Sequence, residues 1–258
     1  MKKILVLVLC LAAVGSAFAA ANPCDVKIGS HKAVTPESRG DKDWWMPRHN
    51  AIVERVKQGN VDLLMIGDSI THGWEKSGKP VWDKYYANRN AVNMGFSGDK
   101  TEHVIWRLQN GEIENINPKL AVIMIGTNNS AGDYTPEQIA DGVKAIVCQL
   151  RTKLPNTKIL VLAIFPRGDA EQRKDKTKGA SYNAQWKRND DAVRIFKKIA
   201  DNKMIYFLDI NKKFLNKKGE LPRDVMSDLL HPGEKGYEIW AKAMEPTIVK
   251  LMGEKKKK

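Results

Sequence analysis

The chain holds three cysteines in 258 residues, too few for the disulfide framework of a small exported domain, and none stands in the setting of a catalytic thiol. Beyond Val14 no apolar run is long enough to span a bilayer, which takes about 20 residues. No strand-like stretch is followed by Gly-x-Gly-x-x-Gly, so the phosphate cradle of a nucleotide-binding fold is missing. No segment interleaves aromatic and basic side chains in the manner of nucleic-acid modules. There is no internal repeat, and the Gly-x-Ser-x-Gly elbow of lipases is absent. Acidic residues number 30 against 43 lysines and arginines, a formal charge of +13. What remains, 42% hydrophobic and 28% charged, is the composition of a globular domain.

The N-terminus reads as a leader rather than as part of the fold. Lys2 and Lys3 precede an apolar run from Ile4 to Val14, and Ala17-Phe18-Ala19 has the small-x-small cleavage pattern. We expect cleavage after Ala19 and a soluble protein that is secreted or periplasmic. Cys10 leaves with the leader, and Cys24 and Cys148 remain, either paired in an oxidising compartment or with Cys148 as a buried thiol. The charge without Lys2 and Lys3 is +11. It suits an anionic surface or acidic polysaccharide, and equally plain solubility.

The rest divides into an irregular arm (20–42), one domain (43–253) and a basic tail (254–258). Within the domain, helical and extended patterns alternate. Helices are predicted at Trp45–Lys57, Thr101–Gln109 (capped by Asp99 or Thr101), Pro136–Lys153, Tyr182–Ala200 and Gly233–Met252. Strands are predicted at Val61–Ile66, Asn90–Met94, Leu120–Ile125, Lys158–Ile164 and Met204–Leu208. Thr135-Pro136-Glu137-Gln138 is a clear helix start: a cap, a proline at the first position, then an acid. Continuous apolar strands alternating with helices call for an α/β fold, a five-stranded parallel sheet covered on both faces. Sites in such folds lie beyond the carboxyl ends of the strands.

Those ends are polar here. The run "LLMIGDSITHGW" (63–74) puts Ser69 directly after a strand. The next strands lead into Asn93-Met94-Gly95-Phe96-Ser97-Gly98-Asp99, Gly126-Thr127-Asn128-Asn129 and Pro166-Arg167-Gly168. A serine hydroxyl needs a base, the base needs an orienting partner, and the oxyanion needs convergent donors. Of five histidines, His31 falls in the arm, His49 in the first helix and His103 on a helix surface. His72 follows Ser69 closely enough to line the mouth of a site. His231 has Asp228 three residues before it, a spacing that lets the carboxylate meet one ring nitrogen while the other faces outward. The N–H groups of Ser69 and Gly95 and the Asn128 amide are the candidate oxyanion donors. Helix capping by Ser69, a turn at Gly95 and a loop cap at Asn128 are the plain alternatives. Trp44, Trp45, Trp74 and Trp82 offer stacking faces for a sugar or, more simply, core packing. Trp74 and Arg167 join His72 as candidate substrate contacts.

The blocks "VDLLMIGDSITHGW", "AVNMGFSGDKTEHVIWRLQNGE", "PKLAVIMIGTNN", "FPRG" and "DLLHPGEKGYEIWAKAMEP" resemble the SGNH, or GDSL-like, esterase superfamily, and within it the branch of the platelet-activating-factor acetylhydrolase catalytic subunits. The resemblance runs from about Trp44 to Met252. It implies a flavodoxin-like three-layer α/β/α sandwich and a triad of Ser69, His231 and Asp228. It also implies an oxyanion hole of Ser69, Gly95 and Asn128, with no metal and no cofactor. Ile70 replaces the leucine of the family name. The charged segment "RGDAEQRKDKTKGAS" (167–181) has no role that the resemblance assigns. The expected function is a serine esterase for short acyl groups, acetyl first, on a small-molecule or carbohydrate ester. A lysophospholipase, a thioesterase or a non-catalytic carbohydrate-binding protein of the same fold are the alternatives. Neither nucleic acid nor stable membrane insertion is expected.

Overall fold

The computed structural model describes residues 26–255. The expected leader, Cys10, Cys24 and its pairing with Cys148 lie outside those residues. Five short apolar runs form strands β1 (Leu63–Gly67), β2 (Ala91–Gly95), β3 (Leu120–Met124), β4 (Lys158–Leu162) and β5 (Ile205–Leu208). They make one parallel sheet in the order β2-β1-β3-β4-β5, the flavodoxin-like order whose switch point lies between β1 and β3. Register brings Gly67 level with Gly95 on one side and Met124 on the other. Three strands therefore release their polar continuations at the same height.

The helices are α1 (Trp45–Lys57), α2 (Ser69–His72), α3 (Lys79–Tyr85), α4 (Thr101–Gln109), α5 (Thr127–Ser130), α6 (Pro136–Lys153), α7 (Ala170–Lys174), α8 (Ala184–Phe196) and α9 (Glu234–Met252). Strand side chains alternate between two cores. Leu64, Ile66, Val92, Ala121 and Ile123 pack against α1, α4, α6 and α8, while Leu63, Met65, Leu120, Val122 and Met124 pack against α3 and α9. That double burial explains the unbroken apolar strands and completes the three layers. Among the described residues no helix is long and apolar enough to cross a membrane.

The long helices match the sequence reading, and α6 opens on the expected capping box between Thr135 and Gln138. The helix expected over Tyr182–Ala200 is shorter because Asn183 caps it, accepting from the Trp186 N–H at 2.9 Å, and because it ends in a 3₁₀ turn at Lys197–Ile199. The short helical turn that carries Ser69 and His72 is α2, while the short helices α3, α5 and α7 were not expected. The arm is tied down rather than loose. Ala33 is fully buried and its carbonyl accepts from Thr101 Oγ1 at 2.9 Å, while His31 Nε2 lies 3.3 Å from Asp141 Oδ2.

Beneath the switch point lies a cluster of buried charge. Arg107 donates from Nε to Asp99 Oδ2 at 2.9 Å and from Nη1 to Glu112 Oε2 at 2.5 Å. Its guanidinium sits 3.9 Å from the Phe96 ring centroid. Trp45 Nε1 donates to Asp99 Oδ1 at 2.8 Å, and Glu112 Oε1 meets His49 Nδ1 at 2.9 Å. Asp99 is thus consumed by side chains and does not cap α4. His103 instead accepts the Lys100 N–H at Nδ1, 2.9 Å. That turns His103 inward, to 7% exposure, against the expectation of a surface position. Burial, with Arg39, Lys100 and Arg107 nearby, pushes its pKa down to about 3, so the ring is neutral and free to accept. Removing Arg107 leaves Asp99 and Glu112 buried without their cation. Arg107→Met should lower unfolding free energy by roughly 3–5 kcal/mol, read as a shift of the urea midpoint. A loss below about 1 kcal/mol would mean the cluster is not holding the fold.

Candidate active site

The site grows from two glycines that no larger residue can replace. At Gly67 an added Cβ would lie 2.4 Å from the Met124 carbonyl oxygen and 2.2 Å from Thr71 Oγ1. At Gly95 it would lie 2.1 Å from the His72 backbone nitrogen. Both are closer than any real contact, so the ends of β1 and β2 admit α2 only because these side chains are absent. Asp68 starts α2 as its cap, accepting from the Ile70 N–H at 2.9 Å. Ser69 is then the first helical residue and stands at the carboxyl edge of the sheet.

The loop before α9 delivers its partners. Ser69 Oγ lies 2.9 Å from His231 Nε2, and His231 Nδ1 lies 2.8 Å from Asp228 Oδ2. The other carboxylate oxygen accepts the N–H groups of His231 at 2.8 Å and Leu230 at 3.0 Å. Leu229 between them takes φ +57°, the left-handed step that closes so tight a turn. Burial alone would raise the Asp228 pKa, but the bonds from the His231 ring and backbone, the His231 charge and the Leu230 N–H outweigh it and lower it. Asp228 is therefore a carboxylate throughout the working range. A carboxylate on Nδ1 fixes the tautomer that leaves Nε2 free to accept a proton from Ser69.

The donors fall differently from the sequence reading at one position. The Gly95 N–H is buried and donates to Asn93 Oδ1 at 2.9 Å, so Gly95 makes room for α2 and offers no free donor. Gly98, three residues on, is exposed with φ +78°. Neither its N–H nor that of Ser69 has an acceptor among the described residues. Asn128 in α5 gives Nδ2 to the Asp99 carbonyl at 2.9 Å, which ties its amide to the residue after Gly98 and leaves one hydrogen over. The sequence signal for this second candidate donor is Gly98-Asp99, a turn glycine followed by an acid.

Ser69 and His231 line a cavity of about 220 Å³ with His72, Gly73, Lys76, Ser77, Ser97, Pro232 and Tyr237. His72 lines that cavity, its Nδ1 3.0 Å from Ser97 Oγ. Burial, then Arg48, pushes its pKa down to about 4, so it is neutral. Trp74 is not available to substrate: it is fully buried among Trp82, Tyr86, Tyr237 and Trp240. Trp45 is buried as well, while Trp44 is 40% exposed, with its ring 6.2 Å from that of His72. Arg167 is buried and bonds the Thr127 carbonyl and hydroxyl, each at 3.0 Å. It braces α5 instead of projecting to substrate. No group of three or more metal-ligating side chains is assembled among the described residues.

Asp68 carries a cost. It is wholly buried, Oδ2 has no hydrogen-bond partner among the described residues, and burial raises its pKa to about 7 against the pull of the Ile70 N–H, His231 and Arg167. A carboxyl whose folded pKa exceeds its unfolded value stabilises the fold at low pH and loses that contribution as pH rises through the folded value. Asp68→Asn keeps a capping oxygen and does not titrate. Its unfolding free energy relative to the parent should therefore rise by roughly 2–4 kcal/mol between about pH 4 and pH 8. Urea melts at both pH values check this, and a constant difference would refute it.

Residues 65–239 match the GDSL-like lipase/acylhydrolase family. Platelet-activating factor acetylhydrolase IB subunit alpha2 of Rattus norvegicus is 34% identical over 228 residues, 87% of this chain and 93% of that protein. The alpha1 subunit of Bos taurus is 31% identical over 209 residues, 81% of this chain and 84% of that protein. In fold, a GDSL-like lipase from Bacteroides thetaiotaomicron superposes with a TM-score of 0.62 at 18% identity, covering 80% of this chain and 96% of that one. A carbohydrate acetylesterase family member from Sinorhizobium meliloti gives 0.56 at 14% identity, covering 75% and 99%. The chain belongs to the GDSL-like lipase/acylhydrolase family, whose members are hydrolases acting on esters.

Proposed function

We propose that the protein is an exported serine esterase that removes short acyl groups, acetyl first, from a carbohydrate carrier. The observation that carries the reading is the hydrogen-bonded line from Ser69 Oγ through His231 to Asp228. His231 Nε2 takes the Ser69 proton as Oγ bonds to the ester carbonyl carbon. The resulting oxyanion meets the Ser69 and Gly98 N–H groups and the remaining Asn128 hydrogen. Collapse breaks the bond to the alcohol oxygen, which leaves with the proton from His231. A water, deprotonated by the same ring, then attacks the acyl-enzyme and restores Ser69.

Size supports a short acyl group. A cavity of 220 Å³ corresponds to about seven water molecules, enough for an acetyl group and its neighbours but not for a fatty chain. Its lining of histidine, serine and lysine is also unlike an acyl tunnel. The names of the acetylhydrolase relatives agree with acetyl. For the carrier, Trp44 beside His72 offers an exposed aromatic face, and the fold is shared with the carbohydrate acetylesterase family member. For export, the support is the leader pattern at residues 1–19.

Chromogenic esters from acetyl to octanoyl test the activity. We expect kcat/KM to be highest for acetyl and to fall along the series, and Ser69→Ala to lose on the order of 10⁴-fold or more. Equal turnover by parent and variant would remove Ser69 from the chemistry, and a rate that climbs with chain length would favour a lipase or lysophospholipase. Asn128→Ala should lower kcat by about 100- to 1000-fold with a smaller change in KM. A change confined to KM would show that the amide holds substrate instead of the oxyanion.

A further inference from the structure

The charged segment at 167–181 is knitted into the loop that carries the candidate base. Arg223, upstream of Asp228, donates to the carbonyls of Gln172 at 2.8 Å, Lys178 at 2.7 Å and Ser227 at 2.7 Å, and also to that of Asp175. The Gly168 N–H donates to the Leu229 carbonyl at 2.8 Å, and Ala180 pairs with Leu221 in an isolated bridge. From the other direction, α7 sends back Arg173. Its Nε donates to the Asp228 carbonyl at 2.9 Å and its Nη2 to Asp228 Oδ2 at 3.2 Å. Oδ2 is the same oxygen that meets His231 Nδ1. The two arginines thus cross between the segments, and one of them shares an acceptor with the base.

We propose that Arg173 is a positioning residue of the esterase, holding the Asp228 carboxylate against His231 Nδ1 and restraining how strongly that carboxylate favours the imidazolium. The inference rests on the esterase reading above. Arg173 grips backbone and side chain of one residue with two donors of a rigid fork, so the carboxylate cannot swing away from Nδ1 around the left-handed step at Leu229. Its positive charge beside Oδ2 also offsets part of the negative field felt by the ring. The other groups facing the pair are Asp68 from the end of β1 and Arg167 beyond β4, both of which interact electrostatically with it. Lys174 and Lys176 line the same cavity as Arg173 and Asp228, while His72 and Lys76 share the cavity of Ser69 and His231. Of these side chains only Arg173 bonds the Asp228 carboxylate directly.

The test compares parent, Arg173→Gln and Arg173→Lys in kcat and KM for p-nitrophenyl acetate from about pH 5 to pH 9, beside NMR titration of the His231 ring in each protein. Gln removes the charge, Lys keeps it. In Arg173→Gln the acidic limb of kcat/KM and the ring titration should both move up by roughly half a pH unit. Its kcat should fall about tenfold at a KM within about twofold of the parent. Arg173→Lys should bring both midpoints back to the parent's and recover part of kcat. Unmoved midpoints in Arg173→Gln, or an Arg173→Lys variant indistinguishable from it, would overturn the proposal. Should Arg173→Gln not fold, the Lys variant decides: parent-like midpoints with partial kcat support the role, and displaced midpoints refute it. A parent without turnover would sink the esterase reading alone, since the ring titration still reports on Arg173.

Discussion

A backbone contact too close for any side chain underlies the rest of this structure. The Met124 carbonyl approaches Gly67, and the backbone of α2 approaches Gly95, so a helix of four residues wedges between strand ends that the register holds level. Parallel sheets leave a crevice where successive connections depart in opposite directions. In this protein the crevice is filled from within by α2, and its first residue faces outward. The serine therefore gains its place from main-chain geometry, while its partners arrive on a loop with its own fastening.

Below the wedge, the buried ions tie distant segments to the same edge. Asp99 receives Trp45 from α1, Arg107 from α4 and Arg39 from the arm, and its carbonyl accepts the Asn128 amide. Arg39 also donates to the Ser97 carbonyl at 2.7 Å. One acid thus holds the loop bearing Gly98, the helix bearing Asn128 and a strap from the N-terminal arm. Buried ion networks are poor sources of net stability; here the network sets where three chain segments stand relative to one another.

Much of this was legible in the residues. Apolar runs and helical periods marked all five strands and all five long helices, because double burial leaves an unbroken signature and capping is local chemistry. Ser69, Asp228, His231 and Asn128 stood out as candidates because they are polar groups near the ends of apolar runs, and the structure gathers the first three into one hydrogen-bonded line. The short helices α3, α5 and α7 were not legible, since one or two turns carry too little periodicity to stand out. Gly95 was misread because a missing side chain has two uses: exposing an N–H or admitting a neighbouring backbone. Only the position of α2 decides between them. Trp74, His103 and Arg167 show the same limit, as their burial is set by helices and strands remote in sequence. The segment at 167–181 showed in the sequence only as a charged loop after the fourth strand, because its arginine fastenings depend on a loop some fifty residues away.

The serine and the histidine it meets are separated by 162 residues, and the histidine lies in the last stretch before the closing helix. A chain emerging amino end first presents Ser69 and the sheet centre well before Asp228 and His231 have been made. Non-local closure of this kind comes late in folding. Ser69 thus stands without its imidazole neighbour until β5 is in place and the final fifty residues dock, and a chain truncated before them carries a complete sheet centre whose serine has no histidine beside it.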